Sequence, residues 1–194
     1  MTMRSTRGVS PGSGPAPARR VGQGRVDGSE PAGVTIRVVA PTDFDRIRRM
    51  WPRLSRQTVY RRFHAPIHQF PAAPVQQFVT GDHELRDAVV AIRDDEIVGL
   101  ARYEQLAAEP STAEFAVVVQ DDCQGTGLGR RLLDAVLGLA RARGIGWMTG
   151  SIVADNKPML ELLRRHFPRG ELHLKQGIYE VRIPLGPHGD PPER

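Results

Sequence analysis

The residue types best suited to chemistry gather between positions 114 and 130. In Gln124-Gly125-Thr126-Gly127-Leu128-Gly129, glycine recurs at every second position just before a long amphipathic run. Glycines let a backbone come close to a ligand. The N–H groups that open a helix carry a partial positive charge and attract phosphate or pyrophosphate. Arg130 and Arg131 add charge at the same end. The same residues also suit a plain glycine-rich turn and helix cap with no ligand. A Walker loop is excluded, because it needs a lysine followed by Ser or Thr and the stretch holds no lysine. A dinucleotide fingerprint is excluded as well. Its sixth position, counted from Gly125, is Arg130, and no acid is placed about 20 residues further on. Cys123 sits just before the loop with no base beside it, so it reads as a buried cysteine and not a nucleophile.

The loop needs a strand before it and a helix after it, and the flanking patterns supply both. Thr112–Val119 is β-rich and ends in three valines. Leu128–Arg143 carries Leu132, Leu133, Val136, Leu137 and Ala140 on one stripe and arginines outside, and Gly144 and Gly146 stop it. Upstream, Val34–Val39 predicts a strand, and Pro41-Thr42-Asp43 opens a helix with Thr42 as the expected cap. A second helical piece spans about Ser55–Phe63. Pro66, Pro71 and Pro74 interrupt, leaving a short helix over Val75–Val79. Ala88–Arg93 and Glu96–Gln105 are strands around an Asp94-Asp95 turn, and Leu106–Ser111 reads as a loop. Downstream come a strand Trp147–Val153, a helix Lys157–His166 and a terminal hairpin, Glu171–Lys175 with Gly177–Leu185. The order is a mixed α/β (α+β) domain with a mostly antiparallel sheet.

Composition bounds the rest. The chain has 194 residues, 40% hydrophobic and 25% charged, which is one ordinary globular domain with tails. No apolar run reaches about 18 residues, so no membrane-spanning helix is expected. The N-terminus lacks the apolar stretch of a secretory signal. A lone cysteine makes neither an internal disulfide nor a cysteine-based zinc site, so no metal is expected and the cytoplasm is the default setting. The net charge is +5, of which +3 falls in residues 1–33, so the body is nearly balanced and reads as no nucleic-acid binder. Residues 1–33 hold seven glycines and four prolines without Leu, Ile, Phe, Tyr or Trp, and are expected to be a disordered tail. Residues 186–194 are expected to be a short disordered end, which leaves 34–185 as the folded domain.

Gln-x-x-Gly-x-Gly after a β-rich strand resembles motif A of the GNAT superfamily of acyltransferases. The strand Glu114–Val119, the loop Gln124–Gly129, the amphipathic helix, the next strand and Asn156 at the following helix resemble that family in order. Leu54-Ser55-Arg56-Gln57-Thr58-Val59-Tyr60-Arg61-Arg62-Phe63 resembles a segment of bacterial Pat-type protein lysine acetyltransferases. The resemblance implies a GNAT-like fold and acetyl-CoA as co-substrate. It implies that the backbone of Val117, Val118 and Val119 pairs with the pantetheine arm, and that the Val119 N–H polarises the thioester carbonyl. The N–H groups of Gly125, Thr126, Gly127, Leu128 and Gly129 would cradle the pyrophosphate, with Gln124 and Arg130 beside them. Asn156 would hold the cofactor or cap its helix. Glu114 matches the family's catalytic glutamate. It lies about 10 Å along the strand from Val117, which suggests a water relay. Glu104 is the reserve base, and His166, His173 and Tyr179 are the candidate acids. The implied acceptor is a protein lysine, with acyl-CoA synthetases as the implied targets. A small-molecule amine acetyltransferase and a non-catalytic acyl-CoA sensor are the alternatives.

Overall fold

Residues 33–81 and 83–186 are described by the computed structural model. The tails expected at 1–33 and 186–194 lie outside those residues, apart from Gly33 and Gly186. The β-rich runs become seven strands. They are β1 (Thr35–Val38), β2 (Arg86–Arg93), β3 (Glu96–Leu106), β4 (Glu109–Val119), β5 (Trp147–Val153), β6 (Glu171–Lys175) and β7 (Ile178–Pro184). They form one sheet in the order β1-β2-β3-β4-β5-β7-β6. Every neighbouring pair is antiparallel except β4 with β5. This is the mixed, mostly antiparallel α/β fold expected from the sequence.

Helices cover both faces. On one lie α4 (Leu128–Ala142) and α5 (Lys157–His166), and on the other α1 (Phe44–Met50), α2 (Arg56–Phe63) and α3 (Ala72–Val79). The stripe Leu128, Leu132, Leu133, Val136, Leu137 and Ala140 is buried. It packs on Val89, Val98, Ala113 and Phe115 of the sheet. Each large aliphatic side chain buried there contributes about 1.5–3 kcal/mol. A second core joins Ile47, Met50, Val75 and Val79 to Val90, Ile97 and Leu100. The sheet is therefore clamped from both sides at β2–β4, the strands that lead to the glycine loop.

Three local expectations are corrected. Thr42 is not the cap: the chain enters α1 through a 3-10 turn, Pro41–Asp43. There the buried Asp43 carboxylate accepts from the Ala40 N–H at 2.9 Å and from Arg37 at 2.6 and 2.7 Å. The expected loop 106–111 is a hairpin, because β3 and β4 run on to a tight turn at Ala107-Ala108 after a register shift at Gln105/Leu106. Helix α3 starts at Ala72, not Val75. Pro74 falls in its first turn, where the missing N–H has no intrahelical partner to lose.

Candidate active site

Strands β4 and β5 pair only at Thr112↔Trp147, Ala113↔Met148 and Glu114↔Thr149, and then diverge. Just past the last pair the Phe115 ring lies against Gly150, so close that a Cβ there would sit 3.0 Å from Cε1. The Gln120 N–H donates to the Val98 carbonyl of β3. By strand alternation, the peptide groups of Val117 and Val119 face away from β3, into the gap left by β5. Those groups have no strand partner, so an extended polar chain can dock along them. The gap continues into a cavity of about 270 Å³, walled by Val117–Val119 and by the glycine loop. Thr58, Arg61 and Arg62 of α2 line one side, and Asn156, Pro158 and Met159 the other.

The loop holds the geometry its composition suggested. Gly125 and Gly127 have φ of +76° and +85°, and nothing lies within 4 Å of where their Cβ atoms would be. Gly127 is the N-cap of α4 and gives no side-chain cap, so among the described residues the first-turn N–H groups beside the cavity have no side-chain partner. Arg130 lines the same end, half-engaged by Asp134 at 3.5 Å. Thr126 and Leu128 offer only backbone here. The Thr126 hydroxyl donates to the Cys123 carbonyl at 2.7 Å, and Leu128 is buried in the core. Gln124 is drawn into the scaffold, with Nε2 donating to Thr58 Oγ1 and to the Val119 carbonyl, both at 3.0 Å.

The sequence reading gave α2 no role, yet it forms a wall of the cavity. Asp121 fixes it there. Its carboxylate accepts from the Ser55 N–H at 2.8 Å, the Ser55 hydroxyl at 2.6 Å and the Thr58 hydroxyl at 2.9 Å. Burial alone would raise this carboxyl, but the donors from Ser55 and Thr58 outweigh it and hold its pKa below the ordinary aspartate value. Arg61 reaches over to the β5–α5 turn and donates to the Asp155 carbonyl at 3.0 Å. The signal available in the sequence was Ser55 and Thr58, a helix-capping pair, ahead of two adjacent arginines.

Glu114 is exposed at the last paired position of β4, directly between Glu104 of β3 and Thr149 of β5. It stands beside the cavity and does not line it. Its charge acts on Arg62, which does. Glu104 is taken up by Arg102 at 3.2 Å and Arg86 at 3.7 Å, which leaves Glu114 the freer carboxylate. Asn156 caps α5, its Oδ1 accepting from the Met159 N–H at 3.4 Å, and it also lines the cavity. Cys123 is buried, and burial pushes its thiol pKa up, followed by the Asp122 contact, so it is no ready thiolate. The cavity lining includes none of His166, His173 and Tyr179. Among the described residues no cluster could hold a metal ion, and no helix is long and apolar enough to cross a membrane.

Residues 48–167 match the acetyltransferase (GNAT) family profile. The chain belongs to the GNAT acetyltransferase family. It is an N-acetyltransferase whose co-substrate is acetyl-CoA. An acetyltransferase of Pseudomonas aeruginosa is 33% identical over 133 residues, covering 66% of this chain and 71% of the relative. An L-methionine sulfoximine/L-methionine sulfone acetyltransferase of the same organism is 37% identical over 73 residues, 36% of this chain and 42% of the relative. The GNAT domain of S. lividans PAT superposes with a TM-score of 0.70 at 25% identity, covering 77% of this chain and 89% of that domain. The GNAT residues fit acetyl-CoA on their own geometry. The edge of Val117 and Val119, which β5 leaves without a strand partner, suits an amide-bearing arm, and the open cradle at Gly125 and Gly127 suits a pyrophosphate.

Proposed function

We propose that residues 34–185 are the catalytic unit of an enzyme that acetylates the amine of a small molecule, with Glu114 as general base. The observation that carries the base is its position: an exposed carboxylate where β4 and β5 part, electrostatically coupled to a cavity-lining arginine. The choice of a small acceptor is supported by the methionine sulfoximine acetyltransferase relative.

An alkylamine has a pKa near 10, so at neutral pH it arrives as the ammonium. Glu114, directly or through one water, takes a proton from it. The amine nitrogen then bonds to the acetyl carbon, the C–S bond breaks with its electron pair leaving on sulfur, and the nitrogen sheds its second proton to that thiolate or to water as the amide forms. The Val119 N–H is the proposed donor to the carbonyl oxygen as negative charge grows there. A thiol pKa near 8.5 makes thiolate a good leaving group, which agrees with a cavity lacking an evident acid. Backbone N–H groups of Gly125–Gly129, with Arg130, hold the pyrophosphate, and Asn156 borders the same slot. The lone free cysteine is consistent with a cytoplasmic setting.

A second reading keeps the chemistry and changes the acceptor to a protein lysine, with acyl-CoA synthetases as targets. The similarity to the GNAT domain of S. lividans PAT supports it. One experiment separates the two. Thiol release from acetyl-CoA is followed with a panel of small amines and, in parallel, with a purified acyl-CoA synthetase. Turnover of small amines is expected. Release confined to the synthetase would replace the first reading by the second.

A further inference from the structure

Among the described residues, Arg62 is the cavity-lining cation of α2 with no hydrogen bond or ion pair to the protein. Arg61 is held by Asp155, at 3.0 Å to the carbonyl and 3.5 Å to the carboxylate. Arg62 instead lies over the Phe63 ring, 4.7 Å from its centroid, and among the described residues no carboxylate pairs with it. A guanidinium set into a cavity wall without a counter-ion is unfavourable unless a ligand supplies one. Burial, and then the like charge of Arg102, push its pKa down to about 10, against the opposing pull of Glu114. It therefore remains a cation at neutral pH.

The neighbours do not neutralise it. On this face Arg102 and Arg86 share Glu104, and among the described residues Glu114 is the carboxylate that acts on Arg62. Three arginines thus meet two glutamates, leaving one positive charge beside the proposed base. An acceptor amine arrives as a cation, so this excess disfavours a plain amine and favours one that carries its own anion.

We propose that Arg62 selects the acceptor by binding a carboxylate carried near the reacting amine, so that the acceptor is an amino acid or a close analogue. The inference rests on reading the Glu114 end of the cavity as the acceptor site. A guanidinium presents a planar fork that matches a carboxylate with two parallel hydrogen bonds. Glu114 and Arg62 together then fit a zwitterion, one taking the ammonium proton and the other the anion. The glycine cradle lies further along, at the start of α4, so the donor's phosphates do not need Arg62.

The test compares pairs of acceptors that differ only in the carboxylate: amino acids, methionine sulfone among them, and their carboxamides. Wild-type protein is expected to prefer the acid by at least about a hundredfold in kcat/KM, since a site built to bind a polar group rejects the analogue lacking it. Arg62→Gln should erase that preference by raising KM for the acid. It should leave acetyl-CoA affinity by calorimetry unchanged, and Arg62→Lys should restore part of the preference. The wild-type comparison stands even if a variant folds poorly. Equal or better use of carboxamides overturns the inference and leaves the donor site and the base intact. A tenfold loss of acetyl-CoA affinity in Arg62→Gln also overturns it, by assigning the guanidinium to the donor. No transfer to any small amine, with acetyl-CoA binding confirmed, overturns both this inference and the small-acceptor reading.

Discussion

Gly127 and Gly144 stand at opposite ends of α4 and make a matched pair of perturbations. Their φ angles are +85° and +80°, and no atom lies within 4 Å of a Cβ placed on either. Replacing either by alanine forces an L-residue into the left-handed region, at about 1–2 kcal/mol, with no packing clash added. For a chain of this size that lowers Tm by roughly 2–8 °C. The two variants should therefore melt alike. They should bind differently. The open space at Gly127 faces the cavity, and there a methyl group displaces the proposed pyrophosphate from the N–H groups of the first turn. Gly127→Ala should weaken acetyl-CoA by at least about tenfold, or 1.4 kcal/mol. Gly144→Ala, 17 residues after Gly127 and just past the far end of the helix, should leave affinity unchanged. Gly127→Glu adds negative charge to bulk and should abolish measurable binding. Calorimetry on the folded variants, with thermal melts beside it, reads both quantities. Equal affinity in the Gly127→Ala and wild-type proteins would refute the cradle. Equal loss in both alanine variants would show that helix stability, and not contact, sets affinity.

Asp121→Ala removes three hydrogen bonds that tie α2 to the loop, so it should raise KM for both acetyl-CoA and acceptor while changing Tm by only a few degrees; steady-state kinetics checks this. Asp43→Asn breaks a buried ion pair whose Arg37 partner is partly solvated, and should cost about 2–3 kcal/mol in urea unfolding. Burial opposes ionisation of Asp43, but Arg37, the Ala40 N–H and Arg46 outweigh it and hold its pKa below the usual value. Its stabilisation is therefore present above about pH 4 and lost as pH falls through the lowered value, so the gap between wild type and variant should close in acid. Gly150→Ala drives a methyl onto the Phe115 ring where β4 and β5 part, and should destabilise by about 1–3 kcal/mol in the same assay.

The elements that build the proposed donor site were legible because their patterns are local. The period of Leu132, Val136 and Leu137 marks α4, and the Gly125–Gly129 spacing marks its entry. The alternation in Glu96–Gln105 and Thr112–Val119 marks the central strands, and each becomes the element expected, with β4 starting earlier, at Glu109. The α2 wall, the proposed acceptor side, was not legible, because it is made by long-range pairing. Nothing in the neighbourhood of Arg61 or Arg62 says that α2 will be pinned to Asp121, 66 residues after Ser55, or reach Asp155, 94 residues after Arg61. The mistaken cap at Thr42 has the same origin. Asp43 outcompetes it only because Arg37, on the preceding strand, turns back to hold the carboxylate. Gln124 reads as a ligand residue from its motif, yet it spends its amide on Thr58 and Val119, a contact that only the folded chain creates.

The claim on which the account turns is that Glu114 deprotonates the acceptor, and a pH–rate profile of wild type and Glu114→Gln measures it directly. Glutamine keeps the size and removes the base. A positioned general base contributes about 10²–10⁴-fold, so turnover near pH 7 should fall by at least about a hundredfold. Acetyl-CoA affinity should hold, since the proposed cofactor slot lies further along β4 and at the start of α4. The deficit should shrink as pH rises toward the acceptor amine's own pKa, where the free amine arrives unaided. A variant that keeps more than about a third of wild-type turnover at pH 7, with a parallel profile, would contradict the account, and Glu104→Gln would then be the variant to measure.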